Sequence, residues 1–255
     1  MRLSALVASV CVFVVSLIVS MNAQARSLED IKKSGKIVAA TEGQFPPFNF
    51  FKNGVLSGFE VDLAKEIAKK MGLAIEWKNL PFDSLLIGLS QNRYDFVIAS
   101  HGITAERSKA VLFTKPHYCT GGVIVGKEQE VAKAKLKDLK VGVQVGTSYM
   151  TALQTEHLYK DLKTFPKDTD ALQSLLSGKV DAWVSDRFVA IEAAKSRAEL
   201  KVGHLIFVEQ VGMAVAPGNT ALANALSGAL ADLRASGTYA NLSREYFKAD
   251  VGCAK

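Results

Sequence analysis

The most apolar stretch of the chain lies at its start. Leu3 to Val19 is almost wholly apolar, follows the single cation Arg2, and is succeeded by Ala23-Gln24-Ala25, a small-x-small pattern. A run of about 17 residues is short of the roughly 20 that span a bilayer, so the pattern predicts a secretory signal peptide over residues 1–25, cleaved after Ala25. An uncleaved membrane anchor is the alternative. Cys11 lies inside the run behind Ala8-Ser9-Val10, a poor lipoprotein box, and no lipid anchor is expected.

Beyond this segment, short apolar runs alternate with helical spacing. Lys36-Ile37-Val38-Ala39-Ala40, bounded by Gly35 and Gly43, reads as a buried strand. Val61, Ala64, Ile67, Ala68 and Met71 recur at spacings of three and four and predict a helix that Gly72 ends. Ala74-Ile75-Glu76-Trp77 alternates like a second strand. Asp83 or Ser84 is then placed to cap a helix whose inner face is Leu85, Leu86 and Leu89. Strands alternating with helices predict an α/β fold with a parallel sheet covered on both faces.

A faint internal repeat divides the chain. Leu86-x-x-Leu89 and the run Arg93-Tyr94-Asp95-Phe96-Val97-Ile98-Ala99-Ser100 match Leu172-x-x-Leu175 and Lys179-Val180-Asp181-Ala182-Trp183-Val184-Ser185-Asp186 at a constant offset. Lys36-Ile37-Val38-Ala39 likewise resembles Lys140-Val141-Gly142-Val143. Two copies do not make a solenoid; they predict two similar α/β lobes. Ligands of open α/β sheets bind beyond the carboxyl ends of the strands. Ser100 and Asp186 fall at matching strand ends and would face each other across a shared cleft. The plainer alternative is that Ser100 begins a turn and Asp186 caps the next helix.

Composition sets the outer limits. With 255 residues, 49% hydrophobic and 22% charged, the chain can bury a large core, which excludes disorder, collagen and a small disulfide scaffold. Part of that hydrophobicity belongs to the leading segment, whose removal leaves about 230 residues with no second apolar stretch long enough to span a bilayer. Cys119 and Cys253 remain, and their pairing is left open by the sequence. The formal net charge of +6 has its densest patch at Lys127, Lys133, Lys135, Lys137 and Lys140, without interleaved aromatics. A solvated face accounts for it, and no nucleic-acid partner is expected.

Four motifs then stand in order: Phe45-Pro46-Pro47-Phe48, Gly58-Phe59-Glu60-Val61-Asp62-Leu63-Ala64, Gly102-Ile103-Thr104-x-x-Arg107, and Val141-Gly142-Val143-Gln144-Val145-Gly146-Thr147-Ser148. Together, from about Ile37 to Phe247, they resemble the polar amino acid-binding family of bacterial extracellular solute-binding proteins, the capture components of ABC importers. The resemblance implies a two-lobed periplasmic-binding-protein fold, each lobe a sheet flanked by helices, joined by two crossing strands. It places lobe 1 at residues 26–118 and 212–255 and lobe 2 at 119–211. The hinge falls at His117 to Gly122 and at Glu209 to Gly212. It further implies a monomer that hands an amino acid to a membrane permease, in the periplasm, without a cofactor.

The site follows partly from chemistry and partly from the resemblance. Arginine keeps its charge and grips a carboxylate with two parallel hydrogen bonds, so Arg107 suits an α-carboxylate anchor, the role the family motif also implies. Thr147 and Ser148 stand between a strand and a helix expected to start near Tyr149, where free N–H groups and the helix dipole favour an anion. By resemblance Asp186 accepts the α-ammonium, and Ser100, Gly102 and Thr104 contact the same head group. Phe45 and Phe82 are aromatic walls, with core packing as the alternative, and Glu42 contacts the ligand side chain. Gly102 departs from relatives that carry a polar residue there. His101 is expected as a surface turn residue, the other reading being a ligand contact that titrates near pH 6 to 7.

A carboxylate at 42 favours cationic or amide side chains and repels acidic ones. The expected ligand is a polar or basic amino acid such as glutamine, arginine, lysine or histidine, with cystine open and glutamate and aspartate disfavoured. A rival is an enzyme on the same scaffold, a cyclohexadienyl or arogenate dehydratase with Glu42 as the acid. Another is a sensor that binds the amino acid and reports to a receptor. His101, His117, His157 and His204 lie singly, no metal-site or nucleophile motif is present, and no catalytic residue or metal ligand is assigned.

Overall fold

The computed structural model describes residues 24–253. The expected signal peptide therefore lies, apart from Gln24 and Ala25, outside the described residues, as do Cys11, Ala254 and Lys255. In chain order the elements are α1 (Leu28–Ser34), β1 (Lys36–Thr41), β2 (Gln44–Phe45), β3 (Asn49–Lys52), β4 (Val55–Ser57), α2 (Phe59–Lys70), β5 (Ala74–Asn79), α3 (Phe82–Ser90), β6 (Phe96–Val97), α4 (Arg107–Ala110) and β7 (Leu112–Phe113). They continue with β8 (Tyr118–Lys127), β9 (Lys140–Gln144), α5 (Ser148–Thr155), β10 (Asp161–Phe165), α6 (Asp168–Leu176), β11 (Ala182–Asp186), α7 (Arg187–Ala194), β12 (Leu200–Val211), β13 (Ala214–Val215), α8 (Thr220–Ala235) and α9 (Thr238–Phe247).

Two sheets carry the two lobes. One is ordered β5-β1-β6-β13-β7, the other β10-β9-β11-β8-β12, with β2-β3-β4 as a small third sheet. In each lobe the first strand lies between the second and third, and both pairings are parallel: β1 with β5 and β6, β9 with β10 and β11. The internal repeat is thus a repeated βαβαβ unit. The sheets are mixed, not wholly parallel as the alternation predicts. β13 runs antiparallel to β6, and β8 antiparallel to β11, because these strands arrive directly from the other lobe and need no crossover helix. β8 and β12 are the crossing strands and pair along most of their length, Tyr118 opposite Val211 and Thr120 opposite Glu209.

Local signals match except at one cap. α2 buries Val61, Ala64, Ile67 and Ala68, and Gly72 takes the left-handed φ of 72° beyond its end. α3 begins at Phe82, before the expected cap, because Pro81 sets the entry geometry; Asp83 and Ser84 fall inside the first turn. Cys119 and Cys253 are joined in a disulfide with Cα atoms 4.8 Å apart, which ties the end of the described chain to the first crossing strand.

Phe48 fills the junction of the lobes. It stacks on Tyr118 of β8 at 4.6 Å and meets Phe247 of α9 at 5.1 Å and Phe188 of α7 at 6.4 Å. Beside it Glu60, fully buried in the first turn of α2, collects four partners. Its Oε1 accepts from the Ser100 N–H at 2.7 Å and lies 2.8 Å from His117 Nε2; its Oε2 accepts from Asn49 Nδ2 at 2.7 Å and the Ser100 hydroxyl at 3.0 Å. Removing one member of such a buried set strands the others, at a cost of about 3 to 5 kcal/mol. Glu60→Ala should lose stability on that scale in urea denaturation, and a loss below about 1 kcal/mol would refute the network's structural role.

Candidate functional site

The carboxyl ends of both sheets converge on one enclosed cavity. Phe45, Phe82, Ser100 and Arg107 line it from the first lobe, and Gln144, Thr147, Ser148 and Tyr149 from the second. Its free volume is only about 10 Å³, room for one water, so the lobes are closed on a site that their own side chains fill.

Arg107 is placed by the turn that precedes α4. Its backbone N–H donates to the Thr104 hydroxyl at 3.2 Å, and its Nη1 donates to the Gly102 carbonyl at 2.9 Å. Nη2 reaches across the cleft to the Gly146 carbonyl at 3.0 Å, and the guanidinium lies over the Phe82 ring, 5.6 Å from its centroid. Arg107 is therefore a half-buried cation bridging the lobes. Opposite it, Thr147 caps α5: its hydroxyl accepts from Met150 N at 3.1 Å and donates to the Gln144 carbonyl at 2.8 Å. Ser148 turns its hydroxyl to Glu209 Oε2 at 2.7 Å.

Asp186 is the helix cap that the plainer alternative describes. Its Oδ1 accepts from the N–H groups of Phe188 at 2.6 Å and Val189 at 3.3 Å, opening α7. The other oxygen takes the Tyr149 hydroxyl at 3.3 Å, so Asp186 communicates with the cavity through Tyr149. Burial lifts its pKa to about 7, against the lowering effect of its hydrogen bonds. Ser100, expected opposite it, adopts a left-handed φ of 56° and is held by Glu60 while still lining the cavity.

Glu42 is buried beyond the cavity wall, where its Oε1 accepts from Gln144 Nε2 at 2.6 Å across the lobes. Burial raises its pKa to about 8, with the Asp168 carboxylate adding to the rise. Asp168, which accepts from Trp183 Nε1 and the Ser185 hydroxyl, is likewise raised by burial to about 7. His101 is not a surface turn residue: it is 2% exposed and stacks on Phe82 at 4.2 Å. Burial, then Arg107, hold its pKa well below 6.5, so the ring is neutral and does not titrate near pH 6 to 7.

Gln144, Tyr149 and Glu209 join the site without having been singled out in the sequence. Gln144 ends strand β9, where the carboxyl-end rule points, and Tyr149 follows the predicted anion-binding pair. Glu209 carries no local signal, since its position depends on the register of β12 against β8.

A two-lobed α/β fold closed on such a cavity agrees with the family model that the chain matches over residues 37–249, described as bacterial extracellular solute-binding proteins, family 3. The chain belongs to that family. It is 33% identical to the L-cystine-binding protein TcyJ of Escherichia coli (strain K12), over 88% of this chain and 87% of that one. With ABC transporter arginine-binding protein 1 of the same strain it shares 34% identity, over 83% of this chain and 90% of the relative. Among solved structures, an ancestral arginine-binding protein bound to arginine superposes with a TM-score of 0.79 at 37% identity, covering 84% of this chain and 98% of that one.

The raised carboxyls make stability depend on pH. Glu42, Asp168 and Asp186 each hold a proton more tightly folded than unfolded, so their contribution is complete below about pH 4 and is lost as pH rises through their folded values. His101 acts the other way and removes stability only as pH falls below about 6.5. The melting temperature of the ligand-free protein should therefore fall between about pH 5 and about pH 8, and Glu42→Gln should flatten the upper part of the fall. A melting temperature that rises across this range would contradict the assignment.

Proposed function

We propose that this protein captures a cationic or amide-bearing amino acid for an ABC importer by closing two lobes around it. The observation that carries the reading is the opposition, in one closed cavity, of Arg107 from the first lobe and the N-terminus of α5 from the second. Both are suited to one carboxylate: the guanidinium as a two-pronged donor, the helix start through free N–H groups and its dipole. Ser100 lines the same cavity with Phe45 and Phe82 as walls, Asp186 adjoins it through Tyr149, and Gly102 and Thr104 hold Arg107; in this reading they complete the amino acid head-group site.

Glu42, behind Gln144 in the cavity wall, sets side-chain preference. Glu42 is buried and bonded only to a neutral amide, so a cationic ligand group would restore its charge, whereas an acidic one would meet a second carboxyl. Relatives whose names specify arginine and cystine fit this range. Arg107 is bound to the carbonyls of Gly102 and Gly146. Opening breaks the second bond, and an incoming carboxylate replaces it with a charge-assisted pair. A ligand bound better by the closed form then shifts the population toward it. Residues 26–118 with 212–255 and residues 119–211 are the two moving bodies, pivoting on β8 and β12. Export by residues 1–25 to the periplasm and delivery as a monomer to a permease complete the reading. Binding occurs without turnover.

A thermal-shift screen of residues 26–255 against the common amino acids tests the function, because a ligand at about 100 times its dissociation constant adds roughly 2.7 kcal/mol. Stabilisation is expected from arginine, lysine, histidine, glutamine or cystine and not from glutamate or aspartate. Stabilisation by none of them, or product formation from prephenate or arogenate, would reject it. Arg107→Ala should weaken binding by at least about 30-fold in calorimetric titration. Unchanged affinity would remove Arg107 from the site.

A further inference from the structure

Thr120 and Glu209 stand directly opposite each other on the two crossing strands, in a second pocket beside the cavity, and Glu209 reaches toward the cavity through Ser148. Thr120 Oγ1 and Glu209 Oε1 are both buried and neither closes a hydrogen bond of good geometry, although Thr120 stands beside Asp186 and Glu209 beside the Tyr149 hydroxyl. The other Glu209 oxygen accepts from Ser148, and a Cβ at residue 102 would lie 2.0 Å from it. The absence of a side chain at Gly102 is what gives this carboxylate its room.

Glu209 also lies between the two head-group anchors. Burial raises the Glu209 pKa, against the opposing effects of Ser148, Tyr149 and the Arg107 charge on one side, and on the other Glu209 adds to the raised pKa of Asp186, with the Tyr149 hydroxyl near both carboxyls. An ammonium has three donors and needs three acceptors. Asp186 cannot supply them all: its Oδ1 is occupied in capping α7, and its Oδ2 already accepts from the Tyr149 hydroxyl and can share only its remaining lone pair. Thr120 stands close enough to Asp186 to favour its charged form.

We propose that Glu209 is a ligand-binding residue, a second carboxylate that accepts the α-ammonium of the amino acid together with Asp186 Oδ2 and Thr120 Oγ1. This rests on the reading of the ligand as an amino acid. It gives a buried carboxylate oxygen a donor. Glu209 can take the ammonium on Oε1 while Ser148 stays on Oε2, so Ser148 holds the carboxylate in place. A ligand without the ammonium forfeits the Glu209 contact, which makes Glu209 a filter against hydroxy and keto acids.

The test is calorimetric titration of wild type, Glu209→Gln and Gly102→Ala with L-arginine, L-glutamine and L-cystine, and with the α-hydroxy analogue of whichever binds. For the amino acid, Glu209→Gln should weaken binding roughly 10- to 100-fold, the scale of a hydrogen bond to a charged group. Gly102→Ala, which pushes the carboxylate aside from a different residue, should also weaken it. For the hydroxy analogue, Glu209→Gln should change affinity by less than about threefold, because no ammonium contact is lost. Equal losses for both ligands would make Glu209 a structural residue and overturn the proposal. Unchanged or tighter binding by Glu209→Gln would overturn it too, showing a latch that the ligand displaces. Wild type that binds none of the three amino acids would overturn the underlying function instead.

Discussion

Glu60 is the point on which the site's three first-lobe segments meet. Its carboxylate fixes Ser100 through both the backbone N–H and the hydroxyl, and so sets where the loop to Arg107 begins. It holds Asn49, whose Oδ1 accepts from the Gly43 N–H beside Glu42. It reaches His117, the residue before β8, whose carbonyl is held in turn by Tyr239 and Arg234. A charge with no exposed surface is tolerable only when its acceptors are filled, and that demand makes the three segments one rigid frame. Glu60 lies in the first turn of α2, where the helix dipole favours a negative group.

The second lobe joins that frame through two strands. β8 and β12 serve as the connection and also carry Thr120 and Glu209, so whatever changes their relative position also changes that pair. The bonds between lobes at the cleft are few: Arg107 to Gly146 and Glu42 to Gln144. Each joins a charged or ionisable side chain of one lobe to a neutral group of the other. A ligand that brings its own complementary charges improves on these contacts, which is the differential interaction that closure requires. The Cys119–Cys253 disulfide ties the end of the described chain, in the first lobe, to the second residue of the first crossing strand, at the boundary between the lobes.

Much of this was legible beforehand. The three-and-four spacing of α2, the run of β1 and the paired segments ending at Ser100 and Asp186 specify a doubled βαβαβ unit, because periodicity reports which face is buried. The carboxyl-end rule directs attention to Ser100 and Asp186, and guanidinium chemistry, the family motif and the helix start to Arg107, Thr147 and Ser148; all of these but Asp186 line the cavity. His101 was misplaced for a physical reason: a polar residue after a strand reads as a turn, but Phe82 from another helix covers it. The Asp83 or Ser84 cap failed because proline geometry at 81 starts α3 earlier.

The sequence by itself determined the elements, their order, the two-lobed plan and the chemical types gathered at the cleft, since these follow from local spacing and recognisable motifs. Only the tertiary structure decided which side chains meet. Glu60 with Ser100, Asn49 and His117, Glu42 with Gln144, Cys119 with Cys253, and Glu209 between Arg107 and Asp186 are all contacts between distant parts of the chain. Such contacts depend on strand register and lobe closure, and on the burial they produce. Burial is also what raises the carboxyls and keeps His101 neutral, and no local pattern of residues encodes it.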